Sequence, residues 1–461
     1  MYLKTFVDEK LAQNAYLVGC QRTGEAIIID PPRYYEHIIA DAAKEGLTIT
    51  AAAETHIHAD YVSGAHQLAV KENVKLYLSD EGDKDWKYQY GEGLNTELIK
   101  EGSKINIGKV ELDVIHTPGH TPESLSFILT DYGGGATEPM GIFTGDFVFV
   151  GDVGRPDLLE EAAGVVGTSV IGARDMFHSV QRFKELPDSL IVWPGHGAGS
   201  ACGKSLGSVP ISTVGYEKQV NWALQINDEQ DFVNELLKDQ PEAPTYFAQM
   251  KKVNKEGPEI VEPKEIPVIS DSKKLNELLK KEDRLVIDTR PATEAQKSLI
   301  QGSINIPFNA QFTEWAGWLI KYNEKLLLLT EEEERQAVEK TLQSIGFDDI
   351  EAFIDESVLK DLELDRYETI SRDQFIEEME DEDVAIVDIR KIGEWNSGHF
   401  DKAEHLFLGK LRELELPTNK KIIVHCERGA RSAIAASILK ARNRQSVHHM
   451  RSSYDETIQY I

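Results

Sequence analysis

The stretch THIHADYVSG (55–64) sets His56, His58 and Asp60 at two-residue intervals and then places Tyr61 where a third histidine would complete a metal-binding run. Imidazole and carboxylate are ligands for divalent transition metals. A phenol with a pKa near 10 is neutral at pH 7 and ligates poorly. Three further segments carry the same donor types: HTPGHTPES (116–124) with His120, GIFTGDF (141–147) with Asp146, and WPGHGAG (193–199) with His196. Each follows an apolar run and lies beside glycines, so each donor can project from a loop at the end of a sheet. Four such segments in one region point to metal chemistry; the residues alone leave open whether they hold one ion or two.

A second chemistry is written in HCERGARSAIAASILKA (425–441). The apolar run KIIVH delivers Cys426 into a six-residue loop that ends at Arg431, with a helix expected from about Ser432. Inward backbone N–H groups, a helix N-terminus and the charges of Arg428 and Arg431 all favour a thiolate or persulfide anion at Cys426. Cys202, in GHGAGSACGKSLG (195–207), sits among small residues beside Lys204 and close behind His196. It reads as an exposed thiol near the metal with a modestly depressed pKa, either a sulfur carrier or substrate gate or an incidental loop cysteine. Cys20 reads as core filling in a strand.

The elements that must position these groups divide the chain. Residues 1 to about 235 alternate β-rich runs such as EAIIID (25–30), VELDVIHT (110–117) and SLSFILT (124–130) with helical patterns at 35–45 and 64–72. Residues 239–267, rich in Pro, Lys and Glu, read as a helix end and a linker. The chain then repeats itself: LVIDTR (285–290) returns as AIVDIR (385–390), and KLLLLTEEEER (325–335) answers to KIIVHCERGAR (421–431). Strand–helix alternation predicts a small parallel α/β sheet made twice. In the first copy Thr330 stands where the second has Cys426, and Glu331 to Glu334 replace its loop, so no thiolate forms there and an anionic sulfur donor is repelled.

Composition bounds the partners. The chain has 461 residues, 79 acidic against 50 basic, and a net charge of −29. Such a polyanion repels phosphate backbones and acidic membranes, which argues against nucleic acid and membrane partners. No apolar run spans a bilayer, Met1-Tyr2-Leu3-Lys4 does not begin a signal peptide, and three cysteines make no disulfide framework. The expected compartment is the cytoplasm, and a homo-oligomer is compatible with the composition.

The order H-x-H-x-D, HTPGH, GD, GH resembles the metallo-β-lactamase superfamily, over about residues 1–258. The resemblance implies an αββα sandwich. In two-metal members such as glyoxalase II, the position of Tyr61 supplies a histidine to the second metal with Asp60 and His196, so that second site is impaired here. What the resemblance leaves is His56, His120 and Asp146, the iron set of the persulfide dioxygenase branch; two imidazoles and a carboxylate also make the facial triad of non-haem Fe(II) oxygenases. His58, Asp60, Tyr61 and His196 would then orient the ligands. GDVGRPDL (151–158) is also similar to that branch; there Arg155 either makes a surface pair with Asp157 in a tight loop or holds the substrate's anionic tail. Residues 265–355 resemble an inactive rhodanese domain and residues 368–461 an active one, with Cys426 as the sulfur carrier.

The expected whole is therefore α/β and multidomain: an αββα sandwich followed by two rhodanese-like domains with parallel sheets. The resemblance implies one Fe(II) per chain and O2 as oxidant. It also implies a low-molecular-weight persulfide substrate of glutathione, coenzyme A or bacillithiol type, and sulfite as the acceptor that yields thiosulfate, in sulfide detoxification. The rival expectation is a dinuclear zinc thioester hydrolase of glyoxalase II type fused to a sulfurtransferase.

Overall fold

Alternation of apolar residues along the early strands decides the architecture, because each strand carries two buried faces. In the computed structural model, which describes residues 1–158, 160, 167–204, 206–416, 420–442 and 446–461, the chain divides into two units. The first comprises Met1–Glu262 with Ser344–Gly346, and the second Pro263–Gln343 with Phe347–Ile461.

The first unit holds two six-stranded sheets. One runs β1 (Tyr2–Asp8), β2 (Gln13–Cys20), β3 (Glu25–Ile29), β4 (Thr48–Ala53), β5 (Lys75–Ser79), β6 (Thr96–Ile99) in spatial order. The other is built from β7 (Lys104–Ile107), β8 (Val110–His116), β9 (Leu125–Asp131), β10 (Gly141–Gly145), β11 (Ile191–Pro194) and β12 (Ser212–Thr213). Val18, Ile27 and Ile29 of one sheet meet Leu112, Phe127 and Phe143 of the other in the central core. The alternate residues Leu17, Ala26 and Ile28 face the helices Glu36–Lys44 and Ala65–Glu72. On the far side Ile142 and Val192 face the helices Thr168–Lys184 and Glu229–Leu237. Period-2 side chains on both sheets thus produce the αββα layering.

The second unit repeats one plan twice. β13 (Val268–Ile269), β14 (Arg284–Asp288), β16 (Ile304–Asn305), β17 (Lys325–Leu329) and β18 (Ile350–Ile354) form a parallel sheet, with β15 (Leu299–Ile300) paired to β19 (Leu364–Asp365) beside it. β20 (Glu368–Ile370), β21 (Val384–Asp388), β22 (Ala403–His405), β23 (Lys421–His425) and β24 (Val447–Met450) form the second parallel sheet. Asp288 pairs with Leu329 and Asp388 with His425, so Thr330 and Cys426 leave their strands at the same register. No helix among the described residues is long and apolar enough to cross a membrane.

The segment read as a helix end and a linker contains a whole helix, Tyr246–Glu256, that belongs to the first unit. Its Pro and Lys content hides an apolar stripe: Phe247, Met250 and Asn254 are buried along one side. Asn254 donates to the carbonyls of His58 (2.8 Å) and Tyr61 (2.6 Å) and accepts from Ser63 N–H (2.9 Å). The helix thereby fixes the backbone that carries two histidines. Asn254→Ala should leave these buried groups unpaired and destabilise the first unit by about 3 kcal/mol, each orphan costing about 1–3 kcal/mol; denaturant unfolding of the variant measures this.

Candidate metal centre

Four strand ends converge on the site. β4 leads into His56, β8 into the loop of His120, β10 into Asp146 and β11 into His196. Gly145 makes the turn into Asp146 at φ +50°, and a Cβ there would lie 2.5 Å from Thr55 Oγ1, so only glycine fits. His56, His120 and Asp146 are all buried, and one donor atom from each lies within 4.8 Å of the others.

Hydrogen bonds on the far side of each ring leave the inner donors bare. Thr55 Oγ1 donates to Asp30 (2.8 Å), so His56 Nδ1–H can donate to Thr55 Oγ1 at 3.0 Å and leave a lone pair on Nε2. His120 Nδ1 donates to the Arg155 carbonyl at 3.0 Å, with the same result. Burial lowers the pKa of both imidazoles, and the charge on His58 lowers that of His56 further, so both stay neutral. Burial opposes ionisation of Asp146, but His196, His56 and His120 hold its carboxyl well below the usual carboxylate range. His56 Nε2 and Asp146 Oδ2 are buried without a hydrogen-bond partner among the described residues and lie 3.8 Å apart. His120 Nε2 lies 3.6 Å from the same oxygen. Two neutral imidazoles and an ionised carboxylate with facing, unpaired atoms fit a bound divalent cation.

The remaining motif residues take other partners. His196 Nδ1 bonds Asp146 Oδ1 at 2.7 Å, and its Nε2 lies 2.7 Å from Asp60 Oδ2. Burial disfavours its charge, yet these two carboxylates push its pKa up to about 10. His58 Nε2 lies between Asp30 (3.2 Å) and Glu54 (3.1 Å), which overcome burial and raise its pKa well above the ordinary value. Tyr61 is buried, and burial with the charge of Asp30 keeps its phenol neutral. Asp60, His196 and Cys202 form a second buried group of three donors.

Two expectations for this unit are corrected. Cys202 is beside the metal donors but is 1 % exposed, and burial with the nearby Asp60 and Asp146 raises its thiol pKa well above the ordinary value. Lys204 does not lower it: its ammonium reaches the Lys238 carbonyl at 2.7 Å. Cys202 is therefore no exposed thiolate; Ser205 of the same loop lies outside the described residues. Arg155 pairs with Asp157, Nε donating to Oδ1 at 2.9 Å and Nη2 to Oδ2, but the guanidinium is buried rather than at the surface and is not left for an anionic substrate.

In the second unit Cys426 is buried, and Gly429 N–H donates to its Sγ at 3.1 Å. Gly429 has φ +86°, and a Cβ on it would meet Arg451 O at 2.8 Å. The helix Ala430–Ala441 starts two residues earlier than expected and directs its N-terminus at the loop. Arg428 is exposed, whereas Arg431, expected to bind substrate, is paired with Glu394 at 2.5 and 2.6 Å. Thr330 accepts from Thr289 Oγ1 at 3.1 Å, with Glu331 to Glu333 exposed beside it.

Asp30, Glu54, Glu123 and Asn254 escaped the motif reading. Glu123 accepts from Ile57 N–H between the two histidines at 2.8 Å, and burial pushes its carboxyl up to about 7. Its place in HTPGHTPES, three residues after His120, was the one available signal.

Sandwich, strand-end donors and duplicated parallel sheets define an αββα domain with a candidate metal centre, followed by two parallel α/β domains of one plan. The metallo-β-lactamase superfamily model matches residues 9–196, and the rhodanese-like domain model matches residues 271–359 and 371–459. A solved metallo-β-lactamase from Staphylococcus aureus is 45% identical, with a TM-score of 0.70, over 77% of this chain and 98% of that one. The chain belongs to the metallo-β-lactamase superfamily and carries two rhodanese-like domains after that domain. The mitochondrial persulfide dioxygenase ETHE1 of Mus musculus is 28% identical over 235 residues, 50% of this chain and 78% of that protein. A hydroxyacylglutathione hydrolase of Rhodospirillum rubrum is 30% identical over 181 residues, 39% of this chain and 60% of that protein.

Burial predicts the behaviour of Cys202 towards a neutral alkylating reagent at pH 7. The folded protein should leave it unmodified while denatured protein reacts at once, as peptide mass mapping will record; rapid labelling in the native state would place the thiol at the surface.

Proposed function

We infer that the first unit is a persulfide dioxygenase with one Fe(II), and that the last domain is a sulfurtransferase acting through Cys426. The observation that carries this reading is the complete three-donor set of His56, His120 and Asp146, with Tyr61 where a second site would take a histidine. The likeness to persulfide dioxygenases and the two rhodanese-like domains support it. When bound, iron supplies the dioxygen chemistry by which a thiol persulfide, O2 and water yield thiol and sulfite.

The protein's own groups hold and orient. Thr55 and the Arg155 carbonyl fix the tautomers of His56 and His120. His196, charged between Asp146 and Asp60, occupies Asp146 Oδ1 and leaves Oδ2 for the ion. At Cys426 the Gly429 N–H and the helix N-terminus stabilise anionic sulfur. Transfer of the outer sulfur of a Cys426 persulfide to sulfite forms the S–S bond of thiosulfate and releases the thiolate. The carrier thiol is of glutathione, coenzyme A or bacillithiol type.

The group Asp60, His196 and Cys202 favours a second reading, in which it holds a second ion and the unit is a dinuclear zinc thioester hydrolase. Metal analysis and oxygen uptake separate the two. Purified protein should carry about one iron per chain, and His120→Ala should lose both the iron and oxygen uptake with a persulfide; two tight zinc ions with thioesterase activity would reject the dioxygenase. Cys426→Ser should keep oxygen uptake within about twofold while the product shifts from thiosulfate to sulfite, because its thiol serves only the transfer step. Thiosulfate formed at the wild-type rate would remove Cys426 from that step.

A further inference from the structure

Open parallel α/β sheets bind ligands beyond the carboxyl ends of their strands, and the cysteine-less repeat has kept such a crevice. A cavity of about 500 Å3, within the roughly 300–1,000 Å3 range of small-molecule sites, lies past the ends of β14, β16 and β17. Pro291 follows β14, Phe308 follows β16 and Glu331 follows β17, so its walls are the counterparts of the loops around Cys426.

The chemistry of the crevice is opposite in sign to that of the active repeat. Around Cys426 a backbone N–H and a helix N-terminus meet the sulfur. Here Glu331 and Glu334 line the space, and its described lining residues include no Lys or Arg. Half-buried Phe308 and the nearly buried Trp315 also line it. Carboxylates beside aromatic side chains favour organic cations over anions. The opposite wall comes from the second repeat: Ala430 and Ile434, in the first turns of the helix behind the Cys426 loop.

We propose that this crevice binds a small organic ammonium compound. The duplicated domain then has a ligand of its own, of the charge that its glutamates attract, while anionic sulfur donors go to Cys426. The proposal is independent of which metal the first unit holds.

The probe is trans-4-aminocyclohexanol, with 4-hydroxycyclohexanecarboxylate as its anionic counterpart, titrated calorimetrically into the full-length protein at low salt. The amine should bind saturably at one site per chain, and the carboxylate should not bind. Two variants with checked unfolding midpoints should each weaken the amine by about tenfold or more, a loss of about 1.4 kcal/mol: the double substitution Glu331→Gln with Glu334→Gln, and Ala292→Trp, which fills the crevice from a half-buried position. Because the chain carries a net charge of −29, diffuse cation attraction is the competing explanation. Multi-site binding unchanged in both variants, equal binding of the carboxylate, or no saturable binding of the amine overturns the proposal.

Discussion

The site depends on how Asp146 is divided. One carboxylate oxygen is committed to a charged histidine, His196, and the other is left bare opposite two neutral ones, His56 and His120. A buried carboxylate is stable only if its charge is compensated, and here the two oxygens need different compensation. His196 neutralises part of the charge and is itself held by Asp60. The neutral rings cannot finish the task without a cation. That requirement explains why so many polar side chains are buried around one point, and why glycine is needed at 145, where a Cβ would strike Thr55.

Much of this was legible in the sequence, for a physical reason. Donors placed immediately after apolar period-2 runs must leave a sheet at a strand end, so four such segments in one domain could be read as a cluster. The duplication was equally plain, because paired strands of a parallel sheet repeat both their apolar run and the Asp-x-Arg that follows it. Asp30, Glu54 and Asn254 were not legible, since they meet the motif only through tertiary packing and lie in unremarkable local sequence. The helix Tyr246–Glu256 was hidden by its charged residues, although its buried stripe is regular. Cys202 misled in the other direction: glycines and serines suggested an open loop, whereas the fold closes over the thiol and two carboxylates raise its pKa.

The two repeats of the second unit show how little separates a strand end that carries a cysteine from one that does not. Asp288 with Arg290 and Asp388 with Arg390 form the same buried ion pair at 2.7 Å, and the strands keep the same register. The difference lies in the loop after the third paired strand. In one repeat it turns through Gly429 into a helix; in the other it presents acidic side chains where that turn would be. Architecture is conserved between the copies, and the chemistry is set by about six residues of loop.

The clamp made by Asn254 has a consequence for biosynthesis. Chains emerge from the ribosome N-terminus first, so every metal donor up to His196 and Cys202 is available before Asn254 is synthesised. Until then the backbone of His58, Tyr61 and Ser63 lacks the three hydrogen bonds that Asn254 makes to it. The nascent domain thus passes through an interval in which its donors exist and the loop that carries two of them is still unfastened.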